Sequence, residues 1–464
     1  MLVQVKSKTI ITLVALLFTH LCHLFAQDSL VYGAFGTVHL YHPKGPPKSL
    51  MLFISGDGGW ELGVVGMAKT LADQGALVVG VDAKKFKSSM AKQKEGCHYP
   101  AAAFEDLSMM LQKKLKFPTY QKPILVGYSY GATLLYGMLA QAPAGTFKGG
   151  IALGFCPDIE ISKPLCKGSG LISHVLKPGK SYYLDKVEKL SAPFIVLNGK
   201  KDQICNYASS AAFIKGMGNA ELVALDKVGH GFSVTKDWEP QFHLAFQKVM
   251  QSTEKANPHI TTKTDLPLEI YEPKGKSNSL VFMLSGDGGW TSFDHEIANS
   301  LVSQGKIVLG MDSQKYFWKA KTPAQASADI SKVLWKYLEA NPNLTISLVG
   351  YSFGAGVAPF IANRFPQEVK KALKSLVLIS ADEVADFEIH ISDMLNFGSK
   401  KQPYKVLDEF HKTTGLKKLC IFGSDEDEAV SSKFKGANTT VVILPGGHHY
   451  NNDFRAIADR ISKL

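Results

Sequence analysis

Cysteine is sparse in this chain: there are six in 464 residues, none at metal-ligand spacing, which excludes a fold built around zinc or an iron–sulfur cluster. Long apolar runs are missing after the first thirty residues, so the body of the chain does not cross a membrane as helices. Apolar residues are not short overall, and 45% hydrophobic content with mixed charge excludes a disordered chain. Acid is in deficit, with 41 Asp and Glu against 52 Lys and Arg, giving a net charge of +11. That excess is compatible with transient contact at an anionic membrane surface and equally with an ordinary basic enzyme. Nothing points to nucleic acid as a partner.

In the opening stretch "MLVQVKSKTIITLVALLFTHLCHLFAQDS", Lys6 and Lys8 precede an apolar run and Ala26 offers a small-residue cleavage site. This is the layout of a secretory signal peptide over residues 1–26, and it implies an exported, soluble product. Cleavage would remove the two leader lysines and leave about +9 of the +11. Of the remaining cysteines, Cys97, Cys156, Cys166 and Cys205 lie in the first half, where an oxidising compartment permits one or two disulfides. Cys420, in the apolar run "LKKLCIFG", is expected as a buried free thiol.

The chain is written twice. "YHPKGPPKSLMLFISGDGGW" at 41–60 pairs with "YEPKGKSNSLVFMLSGDGGW" at 271–290, "ALVVGVD" at 76–82 with "KIVLGMD" at 306–312, and "LVGYSYGA" at 125–132 with "LVGYSFGA" at 348–355. Near the ends, "VGHGF" at 228–232 faces "GGHHY" at 446–450. Copies this long are duplicated domains, not solenoid units. The expected organisation is an N-terminal domain at 27–252, a polar linker at 253–265 and a C-terminal domain at 266–464. Within each copy, short β-branched runs alternate with helical patterns, which implies an α/β fold: a doubly wound, mostly parallel sheet in each of two tandem domains. Such sheets bind ligands at the carboxyl ends of their strands, where the repeated polar phrases fall.

The strongest chemical signal is "GYSFG" at 350–354, a G-x-S-x-G turn between a strand and a helix that would lift Ser352 above the sheet edge. "GYSYG" at 127–131 places Ser129 likewise. A serine needs a base and an acid to become a nucleophile, in the chain order serine, acid, histidine. The second copy supplies Asp425 or Asp427 in "IFGSDEDEAV" and His448 in "ILPGGHHYNND"; the first supplies Asp202 and His230. Between Asp425 and Asp427 the pattern does not choose. The "SGDGGW" loop occupies the place of the oxyanion donors, so Gly286, Gly288 and Gly289 would bring bare amides to the reacting carbonyl beside the amide of Phe353. This loop lacks the Lys-Ser/Thr ending of a P-loop and the G-x-G-x-x-G spacing, which argues against phosphate cradling. Asp287 and Asp57 would brace the loop or meet a cationic substrate group, and Trp290 and Trp60 are expected to pack it. No metal or cofactor is called for.

Together, "SGDGGW", "GMDSQKYFW", "TPAQASADI", "LVGYSFGAGVAPFIANRFP" and the late Gly-Gly-His resemble the VirJ/AcvB family of bacterial virulence proteins, over nearly all of 266–464. The first half looks like a more diverged copy that lacks the "YFW" aromatics, so a different or poorer substrate is expected there. The resemblance implies a periplasmic serine hydrolase of the α/β-hydrolase type. Its substrate would be an aminoacylated phospholipid of the lysyl-phosphatidylglycerol kind, with links to virulence and type IV secretion proteins. It carries Ser352, His448 and Asp425 or Asp427 over as the functional set. Two other readings stand beside it: a general exported carboxylesterase or lipase, and a non-catalytic binding protein of a secretion apparatus.

Overall fold

The computed structural model describes residues 28–252, 266–390, 404–436 and 438–464; the signal peptide expected at 1–26 and the linker expected at 253–265 lie outside the described residues. The first half supplies strands β1 (Asp28–Tyr32), β2 (Gly36–Tyr41), β3 (Ser49–Ile54), β4 (Ala76–Val81), β5 (Ile124–Tyr128), β6 (Gly149–Leu153), β7 (Asp158–Ile159), β8 (Ser173–Lys177), β9 (Ser181–Leu184), β10 (Lys189–Gly199) and β11 (Gly218–Leu225). Eight of them form one sheet in the order β1-β2-β4-β3-β5-β6-β10-β11, while β7, β9 and β8 make a small separate sheet. The second half supplies β12 (Leu268–Tyr271), β13 (Ser279–Leu284), β14 (Ile307–Met311), β15 (Thr345–Tyr351), β16 (Leu373–Ile379), β17 (Val384–Ala385), β18 (Tyr404–Lys405), β19 (Lys417–Gly423) and β20 (Thr439–Leu444). Its sheet runs β12-β14-β13-β15-β16-β19-β20, the same order without the outermost strand.

Within the two large sheets all neighbours from β4 to β11 and from β14 to β20 are parallel, while β1 with β2, β2 with β4 and β12 with β14 pair antiparallel; β17 with β18, and β7 and β8 with β9, also pair antiparallel. The central strands read as unbroken apolar runs, "SLMLFI" and "ALVVGV" being buried throughout, because helices cover both faces. Each sheet therefore carries two cores, one per face. These are two α/β-hydrolase folds in tandem. The paired tryptophans pack as expected: a Cβ on Gly80 would lie 2.2 Å from Trp60, and one on Gly310 2.1 Å from Trp290. Each indole lies over that bare strand position and donates to a tyrosine on the edge strand, Tyr41 or Tyr271, at 3.0 Å.

Disulfides join Cys97 to Cys166 and Cys156 to Cys205, while Cys420 is free and buried, its thiol pushed up to about 12 by burial. Two structural disulfides fit an oxidising compartment. Among the described residues no helix is long and apolar enough to cross a membrane. The halves meet at the "YFW" segment. Trp318 is 3% exposed and donates from its indole to the Phe117 carbonyl at 3.0 Å, packed against Tyr120 with the Lys113 ammonium over its ring. Of the aromatics missing from the first copy, Trp318 thus joins the domains and Phe317 lies in the core; none of the three lines the cavity at Ser352, which corrects the expectation that they mark the substrate pocket.

One buried carboxyl separates the copies. Asp294 closes the capping box of helix Ser292–Ser303 by accepting from the Thr291 amide at 2.9 Å, where the first domain has Val64. Burial pushes its carboxyl up to about 7 against the Thr291 bonds that oppose the shift, and among the described residues its Oδ1 has no hydrogen-bond partner. A carboxyl that holds its proton more tightly when folded contributes stability below its unfolded pKa, and loses it as pH rises toward the folded value. Between pH 4 and 7 the C-terminal domain should therefore lose stability through this group, and Asp294→Asn should lack that slope. The check is the gap in unfolding midpoint between the two proteins, expected to change by at least about 2–4 °C across the window, the shift that 1 kcal/mol produces in a domain of this size.

Candidate active sites

Both serines stand at the same strained turn. β5 enters helix Tyr130–Gln141 through Ser129 at φ 53°, ψ −118°, and β15 enters helix Phe353–Asn363 through Ser352 at φ 52°, ψ −113°. A non-glycine residue held there costs on the order of 1–3 kcal/mol and persists only where its surroundings leave no alternative. The flanking glycines supply that constraint: a Cβ on Gly131 would lie 2.3 Å from the Ile54 carbonyl oxygen, and one on Gly354 2.4 Å from that of Leu284. The helix can close onto the strand ends only without side chains at those positions. Each serine amide then donates to the next strand, Ser129 to Leu153 at 2.9 Å and Ser352 to Ile379 at 2.8 Å. The tyrosine before each serine, which sequence reading passed over, donates its hydroxyl to the histidine's own carbonyl: Tyr128 to His230 at 2.9 Å and Tyr351 to His448 at 3.1 Å.

In the N-terminal domain the three predicted groups meet. Ser129 Oγ lies 2.9 Å from His230 Nε2, and His230 Nδ1 lies 2.8 Å from Asp202 Oδ2. Asp202 is buried, and its other oxygen accepts from the amides of Ile204 at 2.9 Å and Cys205 at 2.8 Å. The carboxylate is thus fixed by three donors, and the Cys156–Cys205 disulfide ties its loop to the end of β6.

In the C-terminal domain the carboxylate that meets the histidine is neither of the two aspartates expected. His448 Nδ1 bonds to Glu426 Oε1 at 2.8 Å. Asp425 instead accepts from the Ser424 hydroxyl, and Asp427 caps helix Glu428–Lys433 through the Ala429 amide. Glu426 Oε2 accepts from the Gly423 amide at 2.6 Å and the Ser380 hydroxyl at 3.0 Å. Burial alone would raise this carboxyl, but the bonds from His448, Gly423 and Ser380 outweigh it and hold it below the ordinary range. A signal was present in the sequence: Asp202 stands three residues after Gly199, and Glu426 stands three after Gly423. Counting from the strand-end glycine finds it. No hydrogen bond joins Ser352 to His448 among the described residues, although both line one cavity of about 580 Å³.

The "SGDGGW" loop is narrower in its role than its glycines imply. Gly289 donates its amide to the Gly286 carbonyl at 3.2 Å and Gly288 donates to the Asp287 carboxylate at 3.1 Å, so neither amide is directed at a substrate. What faces the nucleophile is the backbone at Gly286, where a Cβ would lie 3.6 Å from that of Ser352; Gly56 stands 3.3 Å from Ser129 by the same measure. The amides at 286–287 and that of Phe353 are therefore the candidate oxyanion donors, with Tyr130 in the matching place of the first domain. Asp57 is bridged by Lys87 at 3.6 Å.

Charge distinguishes the Ser352 cavity. Asp287, Asp382, Asp386, Glu388, Glu426 and Asp427 line it, with His390 and His448 and, among the described residues, without a lysine or arginine. His390 pairs with Asp386 at 2.8 Å, and Glu388 receives Lys113 from the N-terminal domain at 3.2 Å. The remaining carboxylates make an acidic mouth. Among the described residues no group of three or more His, Cys, Asp or Glu side chains is arranged to hold a metal ion.

The family model described as bacterial virulence protein (VirJ) matches residues 48–148 and 278–464, more than half of the chain. No curated protein matches. Among solved structures, the chain is similar to the esterase domain of a Rhodothermus marinus protein at 16% identity, covering 46% of this chain and 92% of that one with a TM-score of 0.31. It is similar to Est1E from Butyrivibrio proteoclasticus at 14% identity, covering 48% and 99% with a TM-score of 0.33. A dienelactone hydrolase from Anabaena variabilis matches at 14% identity, covering 44% and 92% with a TM-score of 0.31.

Glu426→Gln should lower kcat/KM of the C-terminal site by about 10³-fold or more, the range seen when a triad acid is neutralised, while Asp425→Asn stays within about threefold. Ester hydrolysis by each variant in a Ser129→Ala background measures this. A larger loss in Asp425→Asn than in Glu426→Gln would reverse the assignment.

Proposed function

The chain belongs to the VirJ family of bacterial virulence proteins, and from that premise we propose that it is an exported serine esterase that removes aminoacyl groups, of the lysyl type, from phospholipid headgroups at Ser352. The observation that carries this reading is the acidic cavity. An aminoacyl ester presents a protonated amine beside its carbonyl, and a lysyl ester a second one at the end of its side chain. Asp287, Asp382 and Asp427, the carboxylates of this cavity without a histidine or lysine partner among the described residues, suit that charge and disfavour a free fatty acid or an anionic ester.

The chemistry follows from the site. Ser352 Oγ attacks the aminoacyl carbonyl while His448 takes its proton, and Glu426 holds the imidazole tautomer and stabilises its charged form. The tetrahedral oxyanion is met by the loop and Phe353 amides. The bond to the lipid oxygen breaks, His448 returns the proton to it, and the parent lipid leaves. Water then attacks the acyl-serine with the same base and releases the free amino acid. The assembled triad at Ser129 supports a second hydrolytic site. Residence in the periplasm and contact with type IV secretion proteins belong to the same proposal, supported by the disulfides and by the family's standing as virulence proteins.

Given lysyl-phosphatidylglycerol, the purified chain should release lysine and phosphatidylglycerol with the fatty acyl chains untouched, and Ser352→Ala should abolish this. Asp382→Asn should raise KM for the lysyl lipid by about tenfold, the worth of one charge-assisted hydrogen bond, and raise KM for an alanyl lipid less. Release of fatty acid without lysine would favour the lipase reading. A stoichiometric complex with secretion proteins, together with no hydrolysis of any ester, would favour the binding reading.

A further inference from the structure

Between β6 and β10 the first domain makes an excursion that its fold does not require. β7 leaves the rim of the sheet and pairs with β9, and β9 pairs with β8 to form a hairpin whose outer strand has no neighbour on its far side among the described residues. The base is firmly held. Cys166 is tied to Cys97, Leu184 is fully buried, and Tyr136 donates its hydroxyl to the Asp185 carbonyl at 2.6 Å. Beyond that base every residue from His174 to Lys180 is exposed, with Gly179 at φ +65° turning the chain after Pro178.

The composition of this tip is unusual for a surface. Ile172, Val175 and Leu176 are 60%, 53% and 48% exposed, so three large aliphatic side chains meet water within five residues. Around them stand Lys167, Lys177 and Lys180, and no Asp or Glu occurs anywhere from 161 to 184. A rigid base that presents aliphatics at its end with ammonium groups beside them is the chemistry of an element that enters a lipid interface: the apolar tips pass among the acyl chains while the lysines stay at the phosphates.

We propose that the β8–β9 hairpin docks the protein onto an anionic phospholipid bilayer. A protein partner fits less well, because a stable complex buries about 800 Å² on each side and needs fixed polar pairing, whereas this tip is two strands wide and, beyond the Asp185 carboxylate that pairs with His174 at its base, carries only lysines as charges. The hairpin grows from the rim of the Ser129 site: Glu160, just after β7, shares Lys87 with Asp57 of the glycine loop, both at 3.6 Å. Docking would therefore bring that site to the membrane surface. The choice of lipid rests on the function proposed above, but the binding itself is separable from hydrolysis.

The experiment uses the chain from Gln27 onward, carrying Ser352→Ala so that no lipid is turned over there, and vesicles of phosphatidylcholine with or without phosphatidylglycerol. Co-sedimentation should require the anionic lipid and weaken with salt. Val175→Ser with Leu176→Ser should reduce partitioning by about tenfold or more, and Lys177→Glu with Lys180→Glu by about fivefold for each lysine lost. Val175→Trp should show blue-shifted emission only with anionic vesicles. Both serine substitutions, placed in the chain with Ser352 intact, should leave hydrolysis of a water-soluble ester unchanged, which establishes that the variant is folded. Absence of vesicle binding, equal binding by the variants, or an unshifted Val175→Trp emission would overturn the proposal. So would conversion of a dimer to a monomer by the same substitutions, since the occupant would then be a second copy of the chain.

Discussion

The rest of each domain is organised around one strained residue. A serine at positive φ will not stay there unless the strand before it and the helix after it are both immovable. The parallel sheet supplies the first and the wholly buried helix behind it the second; in the N-terminal domain every residue from Tyr130 to Gln141 is buried. The glycines on either side let backbone meet backbone where a single methyl group would collide. The tyrosine inside the motif carries this rigidity to the histidine loop, so that serine and histidine are held to one frame.

The two copies share that frame and differ in what has been built on it. In the N-terminal domain the acid is an aspartate locked by two backbone amides and a disulfide, and the serine, histidine and acid are all within hydrogen-bond distance. In the C-terminal domain a longer glutamate reaches the histidine from the same offset, with Ser380 and the Gly423 amide holding its second oxygen. The cavity in front of Ser352 is ringed by carboxylates, and one of them, Glu388, is partnered by a lysine of the other domain. The domains are therefore coupled at the mouth of the C-terminal site as well as through the buried Trp318.

Much of this was written locally. The duplication, the succession of strands and helices, and the serines and histidines each depend on patterns spanning ten or so residues: an apolar run, a glycine turn, a histidine after a strand. Chain sequence determines these because backbone sterics and burial act over that range. The identity of the second triad acid was not legible in the same way. Asp425, Glu426 and Asp427 are consecutive, all solvent-compatible and all after the same strand; which one turns inward depends on the path of a loop whose amides and neighbouring hydroxyl come from β16, β19 and the histidine turn together. Only tertiary structure could decide that. It also decided that Trp318 of the "YFW" run cements an interface, how the four paired cysteines are joined, and that carboxylates from three separate segments converge on Ser352. The physical reason is the same in each case: these are contacts between residues far apart in the chain, and their partners are chosen by the packing of whole layers, to which no local pattern gives access.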